Sequence, residues 1–128
     1  MAKQPAKPAV HIPGGDKRSG QFDWRGAVEG ADLNSDVTIL FFFTDEVGKG
    51  PRWHVHPYDE IFIIKRGKAR FKIGEQYIDA EEGDVLVGPA AVPHKYENLG
   101  PGPLESIDIH LSREWIQTDL EDPDECAK

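Results

Sequence analysis

From Asp36 to Ser112 the chain is a succession of short runs, apolar or alternating, each closed by a turn signal. That cadence admits little besides an antiparallel β-fold. The runs are Val37–Thr44, Arg52–His56, Glu60–Lys65, Lys68–Ile73, Gln76–Asp79, Asp84–Val87, Pro93–Asn98 and Leu104–Ser112. Between them stand Gly48-Lys49-Gly50, Arg66-Gly67-Lys68, Gly74-Glu75 and Gly100-Pro101-Gly102-Pro103. Short strands punctuated by glycine and proline argue a sandwich or barrel. Arg113–Leu120 is the one helical candidate, with Trp115 and Ile116 able to pack back on the strands. The fold class is therefore all-β, closed by a short C-terminal helix.

The two ends differ from this middle. Residues 1–20, rich in proline, glycine and lysine, read as an N-terminal arm in which Val10–Ile12 could add a strand to a neighbour. Gln21–Val28 is a strand candidate with Phe22 and Trp24 in phase. The barrel domain is assigned to residues 21–120, and residues 121–128 form an acidic tail expected to fray. Two runs, Ile39–Phe43 and Ile61–Ile64, are apolar on both faces. A strand with one solvated face should alternate, so the second face needs cover. A homodimer sharing these strands is the expected solution; cover by the chain's own arm and C-terminal helix is the alternative.

A chain of 128 residues makes one domain with a modest core. Its 23 acidic and 15 basic side chains give a net charge of −8, which argues against nucleic acid or an anionic membrane as partner. The one basic cluster is Lys65, Arg66, Lys68, Arg70 and Lys72. Its last three members alternate with Ala69, Phe71 and Ile73, as on the solvated face of a half-buried strand. The first ten residues hold no apolar stretch of the signal-peptide kind, and no run is long enough to cross a bilayer. A single cysteine, Cys126, allows no intrachain disulfide. A cytoplasmic setting is the expectation.

The chemistry concentrates in four residues. His54 and His56 are two apart, and alternate strand residues point to one face. Two residues of strand rise about 6.6 Å, so both imidazoles can converge on one ion. Glu60 keeps the same parity, and Pro57 in the intervening Pro57-Tyr58-Asp59 suggests a bend that swings it to the same point. His94 comes from a distant run, as expected where a barrel brings separate strands together. Three neutral nitrogens and a carboxylate suit one divalent transition metal per chain: Fe, Mn, Ni, Co, Cu or Zn.

The surrounding residues extend the pattern. Gly48 is followed by five residues, His54, one residue, His56, three residues, Glu60, six residues and Gly67. Gly83 is followed by five residues, Pro89, one residue, Ala91, two residues, His94, three residues and Asn98. This double motif resembles the two motifs of the cupin superfamily, over roughly residues 37 to 111. The departure is Ala91, where that family usually has glycine, a residue that accepts the positive φ that alanine resists.

The resemblance implies a single cupin-type jelly-roll β-barrel and a 3-His-1-carboxylate site made by His54, His56, Glu60 and His94. On an octahedral ion such a set leaves two positions open to water, dioxygen or substrate oxygens. The implied function is a metal-dependent enzyme acting on a small carboxylate- or hydroxyl-bearing metabolite, whether as oxygenase, isomerase, decarboxylase or lyase. The alternative is a non-catalytic module that binds a small ligand or stores the metal. Besides Glu60, the catalytic candidates are Arg52 and Tyr96, which share inward parity with the ligands, and His110. Phe62 shares that parity too. Ser106, Asp108 and His110 share one face of the last strand, opposite Ile107, Ile109 and Leu111. The usual preference of apolar groups for the interior points Ser106, Asp108 and His110 outward; were they inward, His110 or Asp108 could serve as general base. Tyr58 and Asp59 read as turn residues, and Asn98 as a loop-stapling hydrogen bonder.

Overall fold

Alternation along the runs becomes alternation of burial in space. In β9 (Leu104–His110) every second residue is buried, and β4 (Glu60–Arg66) buries Glu60, Phe62 and Ile64 in the same rhythm. The computed structural model describes residues 6–16, 18 and 24–126. The remaining strands are β1 (Gly26–Val28), β2 (Thr38–Thr44), β3 (His54–Val55), β5 (Lys68–Ile73), β6 (Gln76–Glu81), β7 (Val85–Gly88), β8 (His94–Asn98) and β10 (Thr118–Asp119). They form two five-stranded sheets, β1-β2-β9-β4-β7 and β10-β3-β8-β5-β6. All strand pairs are antiparallel. The jelly-roll architecture expected from the sequence is the one observed. No helix among the described residues is long and apolar enough to cross a membrane.

The core fills one end of the space between the sheets. Phe62 and Ile64 meet Ala69, Phe71 and Ile73 from β5, Leu86 from β7, Tyr96 from β8 and Leu104 from β9. Phe71 stacks on Tyr96 with ring centroids 4.7 Å apart and tilts against Phe62 at 4.9 Å. Gly67 turns β4 into β5 at φ +90°, and a side chain there would overlap Pro103 O. Ala91 adopts φ +64°, so the loop before His94 keeps a glycine-like conformation despite the methyl group. That costs roughly 1–2 kcal/mol. Its N–H reaches His56 O at 2.8 Å and ties the loop to the histidine strand.

The other end of the barrel is polar, and it reverses one expectation. Leu40 and Phe42 of β2 pair with Asp108 and Ser106 of β9, while Glu60 and Phe62 of β4 pair with His110 and Asp108. Directly paired residues share a face, so Ser106, Asp108 and His110 point inward beside Glu60 and Phe62. All three are buried. Ile107 and Ile109 lie outside with their partners Ile39, Phe41, Ile61 and Ile63. The apolar-inside rule fails here because this end of the interior holds a hydrogen-bonded site.

The ends of the chain also depart from their sequence reading. Of the candidate strand Gln21–Val28, the described residues are Trp24–Val28, and only Gly26–Val28 pairs as β1; Phe22 lies outside the described residues. Trp24 packs edge-on against Phe41 at 5.0 Å and donates from Nε1 to Ser106 O at 2.9 Å, covering part of the outer apolar face. Val10–Ile12 forms no strand. A one-turn helix, α1 (Gly30–Leu33), precedes β2, with the Asp32 carboxylate accepting the Glu29 N–H.

No helix forms over Arg113–Leu120. This segment crosses the barrel as an extended strap, and its peptide groups bond to the barrel rather than to one another: Ile116 O accepts from His56 Nδ1, and Leu120 N–H donates to Trp53 O. The C-terminal helix, α2 (Pro123–Cys126), is a single turn further on. Nor does the chain fray directly past Leu120. Asp122 is buried and pairs with Lys72 at 2.7 Å and with Lys95. Lys72, expected in solvent, is itself buried, lying 4.3 Å over the Trp53 ring. Arg70, bonded to Asp79, keeps the exposed position that the alternation implied.

Candidate metal centre

Strand pairing brings the four candidate ligands together. His54 on β3 faces His94 on β8 in register, and Glu60 opens β4 on the opposite sheet. One potential ligand atom from each of His54, His56, Glu60 and His94 lies within 4.8 Å of all the others, and all four residues are buried. Glu60 Oε1 lies 3.0 Å from both His56 Nε2 and His94 Nε2.

The opposite edges of the imidazoles determine what their Nε2 atoms can do. His54 Nδ1 meets Arg52 O, His56 Nδ1 meets Ile116 O at 2.6 Å, and His94 Nδ1 faces Val92 O at 3.4 Å. A carbonyl can only accept, so at His54 and His56 Nδ1 carries the proton and Nε2 presents a lone pair. Backbone carbonyls commonly fix metal-binding histidines in this way. His94 Nε2 lies 3.0 Å from Glu60 Oε1, nearer than Nδ1 lies to its carbonyl, so without an ion it donates to that carboxylate. The result is two lone pairs and a third imidazole converging with a carboxylate. His56 Nε2 is buried with no hydrogen-bond partner. Acceptors packed this closely repel one another unless a cation lies among them, so the cluster could hold a metal ion.

The electrostatics agree with that chemistry. Burial pulls the His54 pKa down to about 4, helped by the neighbouring His94 and His56 and opposed by the Arg52 carbonyl. His54 is therefore neutral at neutral pH, as a ligand must be. Burial alone would raise the Glu60 pKa, but hydrogen bonding, led by His110, outweighs it and holds the carboxylate ionised.

His110 is a fourth imidazole at the site. Its Nε2 lies 3.1 Å from Glu60 Oε2 and its Nδ1 2.7 Å from the Tyr58 hydroxyl. That hydroxyl also lies 3.0 Å from Ile116 O and accepts the Ile116 N–H at 3.1 Å. It has one proton to give. We assign it to His110 Nδ1, the nearer acceptor, which lets Nε2–H donate to Glu60. Tyr58, read from sequence as a turn residue, thus links the strap to the metal cluster. The available signal was its parity with His54, His56 and Glu60. Asp59 is the loop staple, accepting the Ala90 N–H at 2.7 Å.

The other sequence candidates fall at different depths. The Arg52 side chain is exposed and lies at a cavity beside the cluster; its carbonyl, rather than its guanidinium, touches His54. Tyr96 is buried and donates to Asp108 Oδ2 at 2.6 Å, while Ser106 donates to Asp108 Oδ1 at 2.9 Å. Burial first, then the charge of Glu60, raises the Asp108 pKa to about 7 despite those two donors. Asn98 bonds to Gly102 O and to Gly100 N–H and staples its loop as expected.

Comparison with known proteins agrees with this arrangement. The model of the Cupin domain matches residues 41–110. An uncharacterized protein of Methanocaldococcus jannaschii is 31% identical over 62 residues, which cover 48% of this chain and 50% of that protein. The chain therefore spans about half the length of this curated relative. A structure of oxalate decarboxylase from Bacillus subtilis, described for its Mn(II) centres, aligns with a TM-score of 0.68 at 22% identity. It covers 73% of this chain and 27% of that one. An uncharacterized double-stranded β-helix protein from Klebsiella pneumoniae aligns with a TM-score of 0.65 at 20% identity, covering 77% and 84%. At these identities the structural likeness speaks to the fold.

Proposed function

The chain belongs to the cupin family, and on that premise we propose that it is a metal-dependent enzyme acting on a small carboxylate- or hydroxyl-bearing metabolite. His54, His56, Glu60 and His94 would hold one divalent transition ion. The observation that carries this reading is the unpartnered Nε2 of His56, aimed with its neighbours at a carboxylate held ionised. Manganese is among the metals the donor set suits, and a neighbour of the same fold is described for its Mn(II) centres. Once bound, the ion supplies Lewis acidity and can accept substrate oxygens.

The protein's own groups perform the rest. His54 and Glu60 border the adjoining cavity, so the open positions of an octahedral ion would face it. His110 donates to Glu60 Oε2, which fixes the carboxylate's orientation and would leave Oε1 available to hold the ion. Asp108, with a pKa near neutrality and both oxygens tethered, is the group best suited to hold or release a proton beside substrate. Arg52, at the same cavity, would draw an anionic substrate toward the opening. Oxygenase, isomerase, decarboxylase and lyase chemistry are all compatible with these parts.

Water proton relaxation on the Mn(II)-loaded protein tests the reading. We expect at least one rapidly exchanging water on the ion, displaced by small acids. A native zinc ion with four protein ligands and no exchangeable water would replace catalysis with a structural role.

We also propose a homodimer. Val85 and Val87 of edge strand β7 are 63% and 50% exposed, and they adjoin the outward Ile61 and Ile63 through the β4–β7 pairing. A second copy is the simplest cover for this apolar strip. Ile63→Asp should shift the dimer to monomer or aggregate, whereas Phe42 faces the interior and is unsuited to this test. Light scattering that finds the unmodified protein monomeric at high concentration would refute the assembly.

A further inference from the structure

The cavity beside the metal cluster has a volume of about 590 Å³. Its polar end is formed by His54, Glu60, His110 and Asp108. Away from them most of its wall is apolar, with Leu40, Phe42, Pro51 and Trp115 in it, although Gln117 and Asp119 also line the space. Leu40 and Phe42 belong to the inner face of β2, by their pairing with Asp108 and Ser106. Both are only half-buried because they border this space, Phe42 standing between it and the core. Phe42 is steadied by an edge-on contact with Tyr96 at 5.3 Å. Trp115 stands on the strap at the mouth, 46% exposed, its ring 6.2 Å from His110 and its Nε1 donating to Gln117 at 3.2 Å.

We propose that the substrate has two parts: an oxygen-bearing head that chelates the ion, and a flat apolar body, aryl in class, that lies between Phe42, Leu40 and Trp115. The inference rests on the metal-centre reading and specifies the substrate that this site takes. Cavity size is the first argument. A dicarboxylate as small as oxalate would leave most of the volume to water against apolar walls, whereas a ligand with a ring removes that wall from solvent. Charge is the second. The two arginines lining the cavity, Arg25 and Arg52, are both exposed. Deep in the cavity the neighbours of the cluster are Asp108 and Tyr96, so a second carboxylate not taken up by the ion would meet a carboxyl group and no cationic side chain. Shape is the third. Two aromatic residues from different elements border one space, and aromatic faces and edges favour a third ring between them.

Two hydroxamates test this directly, because acetohydroxamate and benzohydroxamate share a chelating head and differ in methyl against phenyl. The Co(II)-loaded protein is titrated with each by calorimetry, with the cobalt spectrum confirming coordination and affinities corrected for each ligand's binding to free Co(II). Burying the ring should make benzohydroxamate bind about 10–100-fold tighter. Trp115→Ala, a change at the surface, should lower that ratio several-fold. Phe42→Ala, checked for folding by thermal melting, should lower it further. Binding of both hydroxamates with equal affinity, or tighter binding of oxalate than of benzohydroxamate, would overturn the aryl-body inference and leave the metal centre standing. No change in the cobalt spectrum with either ligand would show that the ion has no open position. That result would overturn both readings.

Discussion

Replacing His94 by alanine is expected to reduce metal affinity by at least about 100-fold, at or beyond the upper end of what loss of a mere supporting partner produces. Elemental analysis of protein purified without added metal should show near-stoichiometric ion in the unmodified chain and little in the variant. His94 is buried, in register with His54, and packs edge-on to Phe62 at 5.3 Å. Its loss therefore removes a ligand and some packing together, and the metal-free forms separate the two effects. In the metal-free protein His94 Nε2 donates to Glu60 Oε1 at 3.0 Å, so removing the imidazole loses that bond and opens a small cavity. The metal-free variant should therefore melt below the metal-free unmodified protein, and added metal should stabilise only the unmodified one. Full metal occupancy in a His54/His56/His94 triple alanine variant would defeat the assignment.

The second large effect lies on the outside of the other sheet. Asp122→Ala should destabilise the protein by about 3 kcal/mol, the lower end for breaking a buried ion pair, and lower Tm by roughly 10 °C. Asp122 is the shared anion of Lys72 and Lys95, and two of these three side chains are almost wholly out of water. Its carboxyl is held below the usual range because bonds to Lys72 and Lys95 outweigh the opposing effect of burial. Without it, Lys72 keeps Asp124, which is exposed, and the faces of Trp53 and Tyr77. The matched control is Asp79→Ala, which breaks the solvent-exposed pair with Arg70 and should leave Tm almost unchanged. Equal melting of the two variants would show that the C-terminal segment is not anchored as described.

Sequence carried the strand cadence well because short β-runs are punctuated by glycine and proline, whose backbone preferences act locally. It also carried the four clustered residues, since parity within His54–Glu60 is local too. What it missed depends on pairing between distant strands. Whether Ser106, Asp108 and His110 face inward is set by the register of β9 against β2 and β4. The apolar-inside rule misled because the interior there holds a site in place of a core. Arg113–Leu120 looked helical from the placement of Trp115 and Ile116, yet its backbone groups are taken by His56, Tyr58 and Trp53. Lys72 looked solvated because its strand alternates. Nothing within β5 foretells an aspartate arriving from fifty residues onward to bury it.

One peptide unit of the strap has a reach beyond its size. Ile116 takes the Nδ1 proton of His56 through its carbonyl and supports the Tyr58 hydroxyl through its N–H, while its neighbour Trp115 stands at the cavity mouth. The doorway and the innermost donor atoms are thus parts of one lever. A molecule that displaced Trp115 on its way in would pull on the hydrogen bonds that aim His56 and, through Tyr58 and His110, Glu60. Admission of a guest would then be felt at the donors that await it.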